Sequence, residues 1–483
     1  MSQQGKIASG LGWKLLERFG VLGGQFVLQI FLARLLGKET AGVMATLAIF
    51  TALANAFIQH GFNLALIQNK DVTDEDYSSV FWVNLTFAGG FYLLLFLTAP
   101  LIASAFGNAE IVWPLRVLCL LLIPGSVNSI QIAKERRNMR FHKVLLCNFI
   151  AILVSGAISV TLAYFGAGLW ALVVQQLLNM TLSTTIMWFV VDFRPKAVIN
   201  FKRVKVLLSY SWKLMVSNLL DTFYQDIRTL VIALKFSKGT LGSYDQGKKF
   251  PQFINSIVNS AVQSVLLPAM SSEQDDKKKV KELMRNSVML SSYIVFAMMA
   301  GLAGVAKPLV LLLLGEEWLS AVPYLQIYCF TFAFYPVHTS NLQAINAVGR
   351  SDIFLYLETL KKIVGLIMLV GAVLLFDSPI AIAMTGVVGV FTNTLINTFP
   401  NKKLIGYSYF EQMRDILPSL LTALAMFGIV LCVELLQLSP VVTLVLQVFV
   451  GVVTYLALSC LFRLMPFKLL LQALKKLKSK KKK

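Results

Sequence analysis

The chain has 483 residues, of which 57% are hydrophobic and only 14% are charged, and its mean hydropathy is +0.71. A soluble globular protein carries roughly 25% charged residues, so this chain has too few polar side chains to cover its own surface in water. Its net charge of +20 does not indicate a nucleic-acid partner, because the basic residues lie beside apolar runs, as topology signals do. Composition therefore excludes a soluble enzyme and a disordered chain.

The apolar residues form about fourteen runs of the length that crosses a bilayer as an α-helix. In chain order the predicted spans are 11–36, 41–60, 79–103, 110–133, 144–165, 168–191, 210–235, 241–268, 286–314, 321–348, 353–376, 379–400, 415–437 and 440–462. Runs of this length exclude a β-barrel. The sequence predicts an all-α polytopic membrane protein. The five cysteines and three histidines are scattered, so no metal site is expected.

Loop charges predict the orientation of the spans. One set of alternating loops holds nearly all of the loop lysines and arginines, whereas the other set holds only Lys38, Lys235 and Lys238. Because cytoplasmic loops carry the excess of Lys and Arg, both termini are predicted to be cytoplasmic. Two basic stretches, 196–208 and 467–477, mix Lys and Arg with apolar residues at helical spacing. They are predicted to be interfacial helices on anionic phospholipid.

An internal repeat aligns residues 33–42 with residues 233–242 without a gap, matching Lys38 and Gly42 to Lys238 and Gly242. The two segments start at the same orientation, which predicts a parallel repeat about an axis along the membrane normal. The predicted organisation has two six-helix lobes, a linker, two additional helices and a basic tail. Their bounds are 1–192 (N-lobe), 193–209 (cytoplasmic interfacial linker), 210–403 (C-lobe), 404–463 (spans 13 and 14) and 464–483 (tail).

The repeat segments carry a family resemblance. Residues 31–37 (FLARLLG), 61–68 (GFNLALIQ), 241–251 (LGSYDQGKKFP) and 267–271 (LPAMS) resemble signatures of the Wzx-like prokaryotic polysaccharide flippases. These belong to the multidrug/oligosaccharidyl-lipid/polysaccharide exporter (MOP) superfamily. Ser243 departs from the pattern, since an aromatic residue is common there.

The resemblance implies a MATE-like fold and a transporter in the bacterial inner membrane, not an enzyme. It also implies a function, namely moving undecaprenyl-pyrophosphate-linked sugar repeat units to the outer leaflet by alternating access for capsule, O-antigen or exopolysaccharide synthesis. A polysaccharide polymerase and glycosyltransferases are the partners that it suggests. The sugar, the polymer, the resting conformation and the oligomeric state stay open.

Ionisable residues inside the spans are the candidate site, because such groups normally face a cavity or a partner. The cations predicted to bind an anionic pyrophosphate headgroup are Lys248, Lys249, Arg18, Arg116, Lys361, Lys362 and Arg34. Lys248 and Lys249 lie roughly 12 Å into their span, beyond easy snorkelling. Arg34 is near the outer face, where snorkelling explains it equally well.

Salt bridges between these ionisable residues are the competing explanation for their presence inside the spans. Glu358 and Lys362 have the i, i+4 spacing of a salt bridge on a helix surface, and Asp226 is about level with Lys249. Asp221 has no cation one turn away, so it either binds a proton or sodium ion that drives transport or pairs with Lys361. Asp221, Asp226 and Glu358 are the predicted coupling residues, and no cofactor is expected beyond that H⁺ or Na⁺.

Two other functions compete with the flippase. A cation-coupled drug exporter of the same superfamily should have an acidic cavity, and the excess inside these spans is basic. A membrane-embedded polymerase or ligase needs a sizeable outer loop, and the predicted outer loops are short. No GxxxxGK[ST] sequence is present, so an ATPase is not predicted.

Overall fold

A computed structural model describes residues 3–60, 66, 72–138 and 140–480. Side chains are described for these residues except 3–19, 57–60, 207, 208, 210, 211, 213, 214, 351 and 473–480. Regular secondary structure in this part of the chain is entirely helical. The helices are α1 Gln3–His60, α2 Asp74–Ala105, α3 Ala109–Arg137, α4 Phe141–Tyr164, α5 Leu169–Val190, α6 Phe201–Lys235, α7 Lys238–Ser271, α8 Lys277–Gly304, α9 Ala306–Leu313, α10 Val322–Ala333, α11 Tyr335–Ala347, α12 Ser351–Leu375, α13 Pro379–Leu404, α14 Tyr409–Glu434, α15 Pro440–Leu461 and α16 Met465–Lys480.

The helices follow the predicted spans closely. Helix α1 contains the first two spans, and its backbone bends at Gly37, where φ is 76°. Glycine alone adopts this left-handed geometry without strain. Within the described residues, nine helical segments are long and apolar enough to cross a membrane. The prediction of an all-α, multi-pass membrane protein is confirmed.

The predicted interfacial helix at 196–208 begins later than expected. Residues 196–200 are not helical; instead, their backbone binds α2, with the amides of Lys196 and Asn200 donating to the hydroxyls of Ser78 and Ser79 over 3.1 and 2.9 Å. Helix α6 starts at Phe201, where the Asn200 side chain caps the amide of Arg203, and continues unbroken to Lys235. The basic stretch is thus the first part of a long helix. The second predicted interfacial helix, 467–477, lies within α16.

An ion pair fixes the start of α6 to α2. The Arg203 guanidinium donates to both carboxylate oxygens of Asp76, each over 3.0 Å. Asp76 is buried and also forms a capping box with Thr73 at the first turn of α2. Two parallel charge-assisted bonds hold a guanidinium in one orientation. This contact therefore fixes the direction of the start of α6 relative to the first turn of α2.

The chain divides into two compact units, Met1–Gly242 and Ser243–Lys483. The bounds of the predicted lobes, linker and tail stay predictions. In the first unit, α1 and the start of α7 meet at two glycines that the predicted repeat makes equivalent. A Cβ atom on Gly42 would lie 1.9 Å from the carbonyl oxygen of Lys238, and one on Gly242 would lie 1.9 Å from that of Lys38. The contact is therefore reciprocal and is possible only because neither residue has a side chain.

In the second unit, an ion pair joins the first turns of α14 to α8. The Arg285 guanidinium donates to both oxygens of Asp415 over 2.8 and 2.7 Å, and the Tyr407 hydroxyl donates to the same carboxylate over 2.7 Å. Burial and the bond to Asp415 raise the pKa of Tyr407 well above its usual value. The phenol therefore stays protonated and remains a donor throughout the physiological pH range.

A buried amide cluster joins α11, α13 and α14 in the same unit. The amides of Asn341 and Gln412 donate to each other's oxygens over 2.8 and 3.1 Å, and Asn401 donates to Asn341 over 2.7 Å. All three side chains are completely buried. Since an unpaired amide would be costly there, these bonds specify how the three helices pack.

Candidate anion-binding site on α7

Contacts with α10 and the 3₁₀ turn before it, Glu316–Ala321, hold the first turns of α7 in place. Gly247 allows close approach, since a Cβ atom there would lie 2.7 Å from the carbonyl oxygen of Ala321. One turn earlier, Ser243 and Ser320 share a hydrogen bond of 2.8 Å, and the hydroxyls of Tyr244 and Tyr328 are also bonded. Tyr244 is completely buried. These contacts fix the rotation of α7 about its own axis.

The predicted cations Lys248 and Lys249 follow directly on this anchored segment. They lie about 15 Å along α7 from its first residue, taking 1.5 Å per residue. Lys249 binds Asp245 over 2.6 Å, at i, i+4 spacing. Lys248 is half-buried and has no ion-pair partner among the described residues. The structure therefore distinguishes the two neighbours, because only Lys249 has a counter-ion within the described part of the chain.

The expected salt bridge on α12 is formed by a different lysine. Glu358 binds Lys361 over 2.5 Å at i, i+3 spacing, rather than pairing with Lys362 at i, i+4. The predicted pairing of Glu358 with Lys362 was wrong, and Lys361, which had no predicted partner on its own helix, has one. Both spacings place residues on one helix face, so the choice depends on the side-chain rotamers and on the neighbouring helices. Lys362 is half-buried and has interactions of its own.

The remaining predicted cations lie in the first unit. Arg116 donates to the backbone oxygen of Phe96 over 3.1 Å, and its guanidinium lies 4.2 Å from the centre of that ring. Arg34 is exposed, in agreement with snorkelling. Arg18 lies on α1, but its side chain falls outside the described residues. These arginines and the lysines of α7 and α12 belong to different units, and their common role in one site stays a prediction.

The predicted coupling residues are similarly divided. Asp221 and Asp226 are half-buried on α6, in the first unit, and Glu358 is engaged with Lys361 in the second. Asp226 was expected to neutralise Lys249. The structure instead pairs Lys249 with Asp245 on the same helix. The coupling roles stay predictions.

Sequence reasoning missed Asp245, although its i, i+4 spacing from Lys249 was visible in the sequence. It also missed the amide cluster and the bond between Tyr244 and Tyr328, which join residues far apart in the chain. No local pattern could have identified those contacts.

The fold is that of a known class of transporters. The chain is similar to a solved structure of the lipid II flippase MurJ, with a TM-score of 0.74 and 15% identity, covering 94% of this chain and 98% of that one. It is also similar to an inward-facing multidrug resistance MATE transporter of the MOP superfamily, with a TM-score of 0.59 and 15% identity, covering 81% and 98%. These likenesses show that the chain has the fold shared by these proteins.

A family described as "Polysaccharide biosynthesis protein" matches residues 31–323, and the chain belongs to this family. It is 26% identical to the succinoglycan biosynthesis transport protein ExoT of Rhizobium meliloti, over 74% of this chain and 72% of the relative. It is 21% identical to the teichuronic acid biosynthesis protein TuaB of Bacillus subtilis, over 94% and 95%. It is 23% identical to the lipopolysaccharide biosynthesis protein WzxC of Escherichia coli, over 87% and 83%. The family resemblance predicted from the sequence is confirmed.

Proposed function

We propose that this protein is a flippase that moves a lipid-linked oligosaccharide from the cytoplasmic to the outer leaflet of a bacterial inner membrane. Movement would occur by alternating access, with the polyprenyl chain remaining in lipid while the pyrophosphate and sugars cross. The relatives involved in succinoglycan, teichuronic acid and lipopolysaccharide synthesis support a cell-surface polysaccharide as the destination.

The observation that carries this proposal is that the side chain of Lys248 is half-buried and has no ion-pair partner among the described residues. A charged side chain at the centre of a bilayer costs from ~2.5 to more than ~10 kcal/mol when nothing compensates it. The described residues supply a carboxylate to Lys249 but none to Lys248. A diphosphate would provide the missing negative charge, and a lysine would hold it by charge-assisted hydrogen bonds.

The other predicted cations are weaker candidates for direct contact with the headgroup. Lys361 is already paired with Glu358, Arg116 is bonded to backbone and stacked on Phe96, and Arg34 is exposed. We therefore assign the first contact to Lys248. Arg18 and Lys362 stay as predicted secondary contacts.

The proposal includes the cellular setting. Both termini would lie in the cytoplasm, where the basic residues of α16 and the start of α6 would meet anionic phospholipid. Glycosyltransferases would supply the substrate, and a polymerase would consume it. A proton or sodium gradient would supply the driving force.

Depletion of the protein in its native cell tests the proposal. Lipid-linked oligosaccharide should then accumulate on the cytoplasmic leaflet, protected from a membrane-impermeant periodate probe applied outside. Its mass would identify the repeat unit. Accumulation of single repeat units on the outer leaflet would instead indicate a polymerase. No accumulation in a strain without a second flippase would contradict the proposal.

A further inference from the structure

A groove in the second unit lies between the ends of α12 and α13. It is an open groove with a volume of about 490 Å³. Leu357 forms part of its floor and is almost fully buried, while Tyr356 and Phe399 line it from the two helices. Arg350, Asp352 and Lys403 lie at its rim. Its volume is in the range of pockets that hold small molecules.

The side chains around the groove are exposed on the surface of the second unit. Tyr356 and Phe399 are 67% and 76% exposed, and the neighbouring Leu355 is 64% exposed. Exposed, largely apolar side chains on a membrane helix are suited to contact with acyl chains. A ligand of this groove would therefore enter from the surrounding leaflet, and the apolar part of the ligand would extend into the lipid.

The charges at the rim favour an anion. The Arg350 guanidinium donates to both oxygens of Asp352 over 2.9 and 2.7 Å, so these two charges cancel. Lys403 is exposed and has no ion-pair partner in the part of the chain that the structure describes. The groove thus combines an apolar cleft with a positive charge at its mouth, at the end of the helices where Lys402 and Lys403 lie.

We infer that this groove binds an anionic phospholipid of the surrounding leaflet, with its phosphate at Lys403 and an acyl chain between Tyr356 and Phe399. Basic pockets between membrane helices bind lipid head groups in this way. A lipid-linked oligosaccharide is a poorer match, because sugar hydroxyls need polar partners and the side chains inside the rim are almost all apolar. This inference does not depend on the proposed function.

The test is native mass spectrometry of the purified full-length protein in detergent, with equal amounts of phosphatidylglycerol and phosphatidylethanolamine added. The wild-type protein should retain phosphatidylglycerol preferentially. Lys403→Gln should bind it about fivefold more weakly, the equivalent of ~1 kcal/mol for one lysine near a membrane surface. Lys402→Gln is the matched control, since Lys402 is also exposed on α13 but does not line the groove. It should leave the preference unchanged.

A second variant tests the apolar part of the groove. Phe399→Ala should reduce retention of phosphatidylglycerol, whereas Phe410→Ala, which removes an equally exposed ring outside the groove, should not. Equal retention of the two lipids by the wild-type protein would overturn the inference, as would equal losses in Lys402→Gln and Lys403→Gln. Displacement of the phospholipid by added lipid-linked oligosaccharide, or a dimer that buries the groove, would also overturn it.

Discussion

Lys248 and Lys249 are adjacent on α7 but differ in their electrostatic surroundings. Lys249 has Asp245 at 2.6 Å, whereas Lys248 has no counter-ion among the described residues. The side chains of consecutive helical residues point about 100° apart, so a partner for one is not a partner for the other. The role of the two lysines in transport should differ accordingly.

Lys248→Gln should reduce transport about 10- to 100-fold, the effect expected when one charge-assisted hydrogen bond to the substrate is lost. The measurement is the amount of polysaccharide exported by a deletion strain that carries the variant at equal expression. Arg34→Gln is the control, because Arg34 is exposed. Equal activity of the two variants would remove Lys248 from the proposed site.

The pair formed by Lys249 and Asp245 should behave as a structural ion pair. Lys249→Asp and Asp245→Lys should each impair transport, because each leaves two like charges one turn apart. The double variant restores opposite charges at the same spacing and should recover most of the activity in the same export assay. A double variant as inactive as Lys249→Asp alone would indicate that Lys249 itself contacts the substrate.

At the scale of whole helices, the close contact between α1 and α7 depends on two glycines. Gly42→Ala or Gly242→Ala would place a methyl group 1.9 Å from a backbone oxygen, so one helix must move. Overpacking of this kind typically destabilises by about 1–3 kcal/mol. Each variant should lower the thermal unfolding midpoint of the purified protein, whereas Gly89→Ala, where nothing lies within 4 Å, should not. Unchanged midpoints for both would contradict the close contact.

The sequence predicts helices better than it predicts the pairing between their side chains. Most predicted spans coincide with one helix to within a few residues, because a bilayer requires long apolar segments with all backbone groups bonded internally, whereas spans 286–314 and 321–348 are each divided between two helices. The partner of Glu358 was predicted wrongly, since i+3 and i+4 are both on its face and tertiary packing decides between them. The start of α6 was misplaced for a related reason, since the hydroxyls of α2 hold residues 196–200 out of the helix.

At the scale of the whole molecule, the internal repeat was visible in the sequence as matched residues in 33–42 and 233–242. Within the first unit, Gly42 and Gly242, which the alignment matches, approach each other's helices in the same way. The amide cluster of Asn341, Asn401 and Gln412 was not visible, because three polar residues on separate helices show no periodicity until the helices are packed. The local pattern of apolar residues therefore predicts the helices and their order. The polar contacts between helices can be identified only from the structure.

The proposed coupling of transport to an ion gradient would also involve the whole molecule, and Asp221 on α6 is one of its predicted residues. A carboxylate can take up and release a proton or a sodium ion as it moves between the two sides of a membrane, and an amide of the same shape cannot. Asp221→Asn should therefore make transport into inverted vesicles independent of the imposed pH or sodium gradient. Asp192→Asn, which changes an exposed carboxylate in the same unit, should retain the dependence. If Asp221→Asn keeps the dependence of the wild-type protein, the coupling ion is bound elsewhere, and Asp226 and Glu358 become the residues to change next.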